Sequence, residues 1–295
     1  MPAVNPAKTK LLTDAVYEAC DELDGGNDGI VSNVKACNAK FNIATVRANL
    51  RCPNGDDTGD ACLSDAQVAA VEKIASPLRL SFAVEGQTEF PQWALLEGSL
   101  FLDRSTLGAR PVPSNPPTMT DALLYNAGSA TIKFIITRQP AFDPLSFNPD
   151  SWKDRIQQAG TIMDVSDVDL TPFRRKGGKI IMVHGTTDDF ISWHNSVAYY
   201  EQQLAKQGRF YLDSFMRFYV IPGFSHGFGV FNAKYDGLGE IDRWIETGQS
   251  PQRLVAVDGN KDAHRSRPMC LHPTWPRYNG TGSIKSAESF TCVAN

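Results

Sequence analysis

The sequence predicts an α/β protein, in which the C-terminal part of a doubly wound sheet follows an irregular domain. Two observations carry the sheet. The runs Lys179-Ile180-Ile181-Met182-Val183-His184-Gly185 and Met216-Arg217-Phe218-Tyr219-Val220-Ile221 are short, nearly continuous apolar stretches that end in glycine turns. That is the pattern of strands buried on both faces. Around them, 190–206 and 238–247 read as helices and 253–257 as a short apolar strand, so the elements alternate as βαβα units do. A third observation sets the boundary. From about 76 to 150, Pro, Gly and aromatic residues are scattered without period, as in a cap laid over something else. Two domains follow, 1–165 and 166–295.

In chain order, 7–19 reads as a helix with Leu11, Leu12, Ala15, Val16 and Ala19 on one face, running into Cys20. Residues 21–37 form a Gly/Asp-rich loop, and 54–60 form another. Ser64 is placed as an N-cap, opening a helix that carries Val68, Val71 and Ile74. Two or three strands cannot make a parallel sheet covered on both faces. Either the first half of the sheet lies outside this sequence, or 1–165 supply further strands.

With 295 residues, 42% of them hydrophobic, the chain can bury a substantial core. A net charge of −4 argues against nucleic acid or an anionic membrane as partner. No apolar run approaches the roughly eighteen residues of a membrane-spanning helix. The segment from Met1 to Pro6 has neither the basic nor the apolar region of a signal peptide. Six cysteines fall into three local pairs, Cys20/Cys37, Cys52/Cys62 and Cys270/Cys292. Six cysteines allow fifteen connectivities, so spacing alone leaves the pairing open, with reduced buried thiols as the alternative. Disulfides are the favoured reading, which implies an exported protein whose natural N-terminus is not Met1. No C-x-x-C occurs to suggest zinc or redox chemistry.

The chemistry concentrates at the two strand ends. Asp188 lies just past the first strand and His226 just past the second. Acid and then base at strand ends is the second half of the Ser…Asp…His order of an α/β-hydrolase. In such a triad the acid orients the histidine, and the histidine takes the proton of the nucleophile. Asp189 is the alternative acid, and His184 is expected to pack or hydrogen-bond at its strand end. A literal G-x-S-x-G occurs at Gly223-Phe224-Ser225-His226-Gly227, but Ser225 follows the acid and adjoins the base. A nucleophile elbow precedes both and opens a helix, so Ser225 is not expected to be the nucleophile. No elbow is found upstream. His194, His264 and His272 have no metal-ligand spacing.

Asp21, Asp24 and Asp28, with glycines between them, give the density of carboxylates that a hard cation such as calcium requires. The loop is not an EF-hand, because counting from Asp24 puts Lys35 where the bidentate Glu belongs. A solvated Asp/Gly turn is the alternative. Cys20 and Cys37 bracket the loop and favour a structural ion.

These segments together resemble the tannase/feruloyl esterase family, which includes mono(hydroxyethyl) terephthalate hydrolase. Cys20-Asp21-x-x-Asp24-Gly25-x-x-Asp28-Gly29-Ile30 is similar to its calcium loop, and Leu50-x-Cys52 with Cys62-Leu63-x-x-x-Gln67 to the next lid segment. His184-Gly185-x-x-Asp188 and Pro222-Gly223-x-x-His226 resemble the acid strand and the base loop. Arg267-Pro268-x-Cys270, Arg277-Tyr278-x-Gly280-x-Gly282 and Ser289-Phe290-x-Cys292 resemble the C-terminal signature. The resemblance implies the C-terminal part of an α/β-hydrolase sheet plus an irregular calcium-binding lid domain. It gives Asp188 and His226 the catalytic roles. Calcium would be held by the side chains of Asp21, Asp24 and Asp28 and the carbonyls of Gly26 and Ile30. The disulfides would be Cys20–Cys37, Cys52–Cys62 and Cys270–Cys292. The family's nucleophilic Ser falls before Met1, and Gly227 stands where the family usually has a Cys bridged to one beside that Ser.

The implied activity is a secreted or periplasmic serine carboxylesterase acting on small aromatic acyl esters. An N-terminal half would supply the Ser, and the chain alone would be inactive. The alternative is a non-catalytic, calcium-stabilised module that binds aromatic or polyphenolic ligands. Lid residues such as Trp93, Phe134 and Phe142 sit in poorly patterned segments and do not distinguish gallate, feruloyl or terephthalate esters, and Asn279-Gly280-Thr281 is a glycosylation sequon.

Overall fold

The computed structural model describes residues 4–99, 112–118, 120–165 and 169–294. Those of 1–12, 43–93 and 101–166 group into one compact unit, and those of 13–42, 94–100 and 167–295 into another. The loop 21–30 therefore belongs with the C-terminal residues, whereas the sequence reading grouped it with the rest of 1–165.

The first unit is knitted by local devices. The predicted helix at 7–19 is Pro6–Cys20, which begins in this unit. Its Lys8 is 2% exposed, and the ammonium donates to Asp57 Oδ1 at 2.7 Å and Gln67 Oε1 at 2.9 Å. A buried cation persists only with such partners. Ser64 caps helix Asp65–Ile74 as predicted: its Oγ accepts from Gln67 N while the Gln67 side chain accepts from Ser64 N, a full capping box. The Cys52–Cys62 disulfide closes the 54–60 loop, and Leu63 pairs its backbone with Leu50 and Cys52 beside it. Strands β1 (Leu78–Val84) and β2 (Gln87–Phe90) form a hairpin inside the stretch read as irregular. Its two-residue turn has φ +47° at Glu85 and +80° at Gly86, the mirror-image turn that matches strand twist. Helix Lys153–Met163 lies on this hairpin, and Gln157 Nε2 donates to Ala83 O at 2.8 Å.

In the second unit the two predicted strands are β3 (Ile180–Gly185) and β4 (Met216–Ile221), paired in parallel. Then come β5 (Ala233–Lys234), β6 (Leu254–Asp258) and β7 (Ser266–Leu271), giving the sheet order β3-β4-β7-β6-β5. A hairpin of β8 (Trp275–Tyr278) and β9 (Phe290–Val293) follows, tied to β7 by the Cys270–Cys292 disulfide. Both faces of β4 are covered. Met216, Phe218 and Val220 pack with Trp193, Tyr200 and Leu212. Tyr219 and Ile221 pack on the other side with Ile30, Phe231 and Met269. Helix Trp193–Gln207 matches the predicted 190–206, and Gly237–Thr247 the predicted 238–247.

The architecture corrects two expectations. Only β3 and β4 are parallel; β6, read as the next parallel strand, is antiparallel to β7. Of the two sources left open for further strands, 1–165 supply none among the described residues: β1 and β2 pair only with each other, and the added strands come from the C-terminal segment. Arg267 and Pro268 hid β7 from a periodicity reading. Pro268 removes a donor, but β7 meets β4 only at Cys270 and Leu271, beyond the proline. Arg267 is buried, paired with Asp28 Oδ2 and stacked 4.1 Å from the Phe290 ring centre.

Candidate active site

Parallel pairing puts the ends of β3 and β4 side by side, with Gly185 opposite Ile221. The loops that follow are zipped together: Thr186 N donates to Ile221 O at 3.0 Å, Thr187 N to Phe224 O at 3.1 Å, and Gly223 N to Thr186 Oγ1 at 3.2 Å. Gly185 permits this approach, since a Cβ there would lie 1.9 Å from Phe224 O.

The zipper brings Asp188 and His226 together. His226 Nδ1 donates to Asp188 Oδ2 at 3.1 Å, with the imidazole 55% and the carboxylate 7% exposed. Asp188 Oδ1 accepts from Phe190 N and Ile191 N, each at 2.9 Å. Burial opposes ionisation of Asp188, but the bonds from His184, Ile191 N, His226 and Phe190 N outweigh it and hold the pKa down to about 2. An ionised acceptor keeps the proton of His226 on Nδ1 and leaves Nε2 as a lone pair. The Phe190 ring lies 5.1 Å from the imidazole centre. A cleft lined by Val183, His184, Ile191, Phe224 and Gly227 surrounds the pair.

Asp189, the alternative acid, is turned away from His226 and accepts from Ser225 Oγ at 3.1 Å. Ser225 is 6% exposed, and its N–H donates to Phe228 O at 2.7 Å. Its hydroxyl thus ties the base loop to the acid loop. Gly227 has φ +87°, a conformation that strains any residue with a side chain. His184, expected to stay at its strand end, also reaches the acid, with Nε2 3.3 Å from Asp188 Oδ2.

The acidic loop packs under the sheet. Asp21 Oδ1 accepts from the N–H groups of Asp28, Gly29 and Ile30 at 3.3, 3.0 and 3.2 Å. Burial foremost, then Asp28, raises the Asp21 pKa against the help of the Gly29 and Asp28 N–H groups. Burial, with the charges of Asp28 and Asp21, pushes Asp24 up to about 6 against the Ser32 hydroxyl and Gly26 N–H. Asp24 Oδ2 is buried with no donor in hydrogen-bonding geometry. Asp28 is engaged by Arg267, and Arg265 Nη1 donates to Asp28 O at 2.9 Å. Among the described residues no group of three or more acidic, His or Cys side chains is arranged to hold a metal ion. Asp24 keeps an oxygen without a donor, whereas both oxygens of Asp21 accept from backbone N–H groups and Asp28 already has a counter-ion.

The cysteines pair as the resemblance implied, Cys20–Cys37, Cys52–Cys62 and Cys270–Cys292. His194 Nε2 lies 2.9 Å from Glu97 Oε2, beside Trp193 Nε1 at 3.0 Å from the same oxygen. That anchoring of buried Glu97 was invisible in sequence, since about a hundred residues separate the partners. His272 bonds Glu201 at 3.1 Å, and burial lowers its pKa. His264 follows the turn 261–263 with φ +48°. Phe134 is 62% exposed, and Phe142 meets Trp152 edge-on with ring centres 5.9 Å apart. Asn279 Oδ1 accepts from Thr291 Oγ1 at 2.8 Å.

A model of the family "Tannase and feruloyl esterase" matches residues 1–293. The chain belongs to this family. An uncharacterised esterase of Agrobacterium fabrum is 32% identical to this tannase/feruloyl esterase member, over 98% of the chain and 53% of the relative. The mono(2-hydroxyethyl) terephthalate hydrolase of Piscinibacter sakaiensis is 30% identical, over 98% and 52%. The crystal structure of feruloyl esterase B from Aspergillus oryzae superposes with a TM-score of 0.76 at 24% identity, covering 99% of this chain and 57% of the other. The chain spans about half the length of the curated relatives it matches. The expected family is therefore borne out, as is an α/β fold, its sheet mixed where a parallel one was read.

Proposed function

We propose that this chain carries the acid and base of a serine carboxylic ester hydrolase that acts on small aromatic acyl esters. The supporting observation is the bond from His226 Nδ1 to Asp188 Oδ2 at 3.1 Å, held at the ends of two adjacent parallel strands. In the reaction, His226 Nε2 takes the proton of a Ser hydroxyl as its oxygen attacks the ester carbonyl. The imidazolium, stabilised by anionic Asp188, then returns that proton to the departing alkoxide. Water repeats the sequence on the acyl-enzyme. The Ser comes from an N-terminal half that pairs with this chain, and Ser225, held by Asp189, is not that group.

The loop 21–30 is proposed to hold a structural calcium ion through Asp21, Asp24 and Asp28 with the carbonyls of Gly26 and Ile30. The buried, donor-free oxygen of Asp24 supports this. The ion's role is to neutralise the buried carboxylates. Three formed disulfides support an exported protein, secreted or periplasmic.

The test is hydrolysis of methyl ferulate and p-nitrophenyl esters by the chain alone and by the chain joined to an N-terminal half of a relative. Turnover is expected only in the joined form, abolished by His226→Ala and largely kept by Ser225→Ala. Robust turnover by the chain alone, lost with Ser225→Ala, would overturn the reading. Binding of an aromatic ligand that survives His226→Ala, with no activity in either form, would favour a non-catalytic binding module.

A further inference from the structure

We propose that His184 is a positioning residue for the acid: it holds the Asp188 carboxylate in its orientation and ionised, and so fixes the proton of His226 on Nδ1. The proposal rests on the reading of Asp188 and His226 as acid and base.

Three hydrogen bonds and one close ring contact surround one carboxylate. Oδ1 accepts from Phe190 N and Ile191 N and Oδ2 from His226 Nδ1 at 3.1 Å, and His184 Nε2 stands 3.3 Å from Oδ2 at ion-pair distance. Only the last comes from the sheet itself, because His184 is the penultimate residue of β3. The protonation of its ring is set independently of Asp188. Nε2 also lies 3.2 Å from Ile191 O, which can only accept, so Nε2 bears a hydrogen in every charge state. Nδ1 lies 2.7 Å from Ser196 Oγ, whose hydroxyl can donate to a neutral ring or accept from a charged one.

His184 thus grips the acid loop twice, at the Asp188 carboxylate and at the Ile191 carbonyl. Ile191 in turn gives its N–H back to Asp188, so ring, carboxylate and peptide form a closed circuit. The ring is 12% exposed, which shields these bonds from competing water. The titratable groups facing Asp188 are His184 from β3 and His226 from the loop after β4, while Asp189 is directed to Ser225. Without the His184 donor, burial would act on Asp188 with less opposition. A protonated Asp188 could donate to Nδ1 of His226 and place the wrong nitrogen toward substrate.

The test needs no turnover. In the chain with nitrogen-15 histidine and carbon-13 aspartate, long-range proton–nitrogen spectra read each ring's tautomer, and the carboxyl shift reads the titration of Asp188. Expected in the unmodified chain are Nε2–H on His184 and Nδ1–H on His226. His184→Leu should raise the Asp188 midpoint by about one pH unit and mix the His226 tautomers. His184→Gln, which keeps a donor, should restore most of both. An unmoved Asp188 titration and an unchanged His226 tautomer in folded His184→Leu would overturn the proposal. If that variant does not fold, Ser196→Ala decides: a smaller upward shift supports the role, and no shift refutes it. A His226 ring that is Nε2–H and indifferent to Asp188→Asn would instead refute the acid–base reading, and this proposal with it.

Discussion

Asp188 and Asp24 are aspartates of one compact unit, 5% and 1% exposed, yet their acidities diverge. Asp188 is held at about 2 and Asp24 is pushed up to about 6. Burial raises both, and more so for the deeper Asp24, but at Asp188 the hydrogen bonds outweigh it and at Asp24 they do not. Asp188 has three donors spread over two oxygens and the His184 ring 3.3 Å away, whereas Asp24 has one oxygen without any donor and two anionic neighbours. The donors decide the sign. A buried carboxylate saturated by N–H groups is a finished anion, suited to orienting a histidine. One that lacks donors is suited to a cation.

The largest expected effect tests the finished anion. In an active joined form, Asp188→Asn should lower kcat by about 10⁴-fold, because an amide stabilises no imidazolium and favours the wrong tautomer. A loss under tenfold in ester hydrolysis would break the comparison at its catalytic end. Next, replacing Cys20 and Cys37 by Ser frees both ends of the acidic loop. This should cost about 3 kcal/mol in the urea unfolding free energy, independent of the aspartates' charge.

Calcium tests the unfinished carboxylate. At a hundred times its dissociation constant, a bound ion should add about 2.7 kcal/mol, and Asp24→Asn should remove that gain. An unfolding midpoint identical in calcium and in chelator would mean that the loop tolerates its buried charge unaided.

The pH dependence of stability separates the loops further. The folded pKa of Asp188, about 2, lies below its ordinary value of 3.8, so its contribution is complete above pH 4 and is lost as pH falls toward 2. The loss is on the order of 2 kcal/mol, and Asp188→Asn should flatten the stability profile across that window. The smallest effect is Ser225→Ala, which removes one buried bond to Asp189 and should cost about 1 kcal/mol without abolishing activity.

The placement of Asp188 and His226 at adjacent strand ends was legible because its signal is one-dimensional: a polar residue after an apolar run marks a strand end. The cap at Ser64 was legible for the same reason, its partner Gln67 lying three residues on. Long-range compensation was not. Arg267 reads as a surface residue until Asp28 and Phe290 are seen around it, and these partners made β7 possible. The hairpin turn at Glu85-Gly86 was overlooked because glutamate rarely takes a positive φ, although a glycine between two alternating runs hinted at it. The second function of His184 depends on the fold of a loop that no spacing rule describes.

The position of β7 has a consequence in time. The strand lies between β4 and β6, yet both of its neighbours precede it in the chain. A ribosome delivers the middle of this sheet after both sides. Until residue 271 has emerged, β4 and β6 have no common neighbour, and the apolar faces of Tyr219, Ile221, Leu254 and Ala256 wait without Met269 between them. The five described strands are therefore joined from the inside, after both sides have been made.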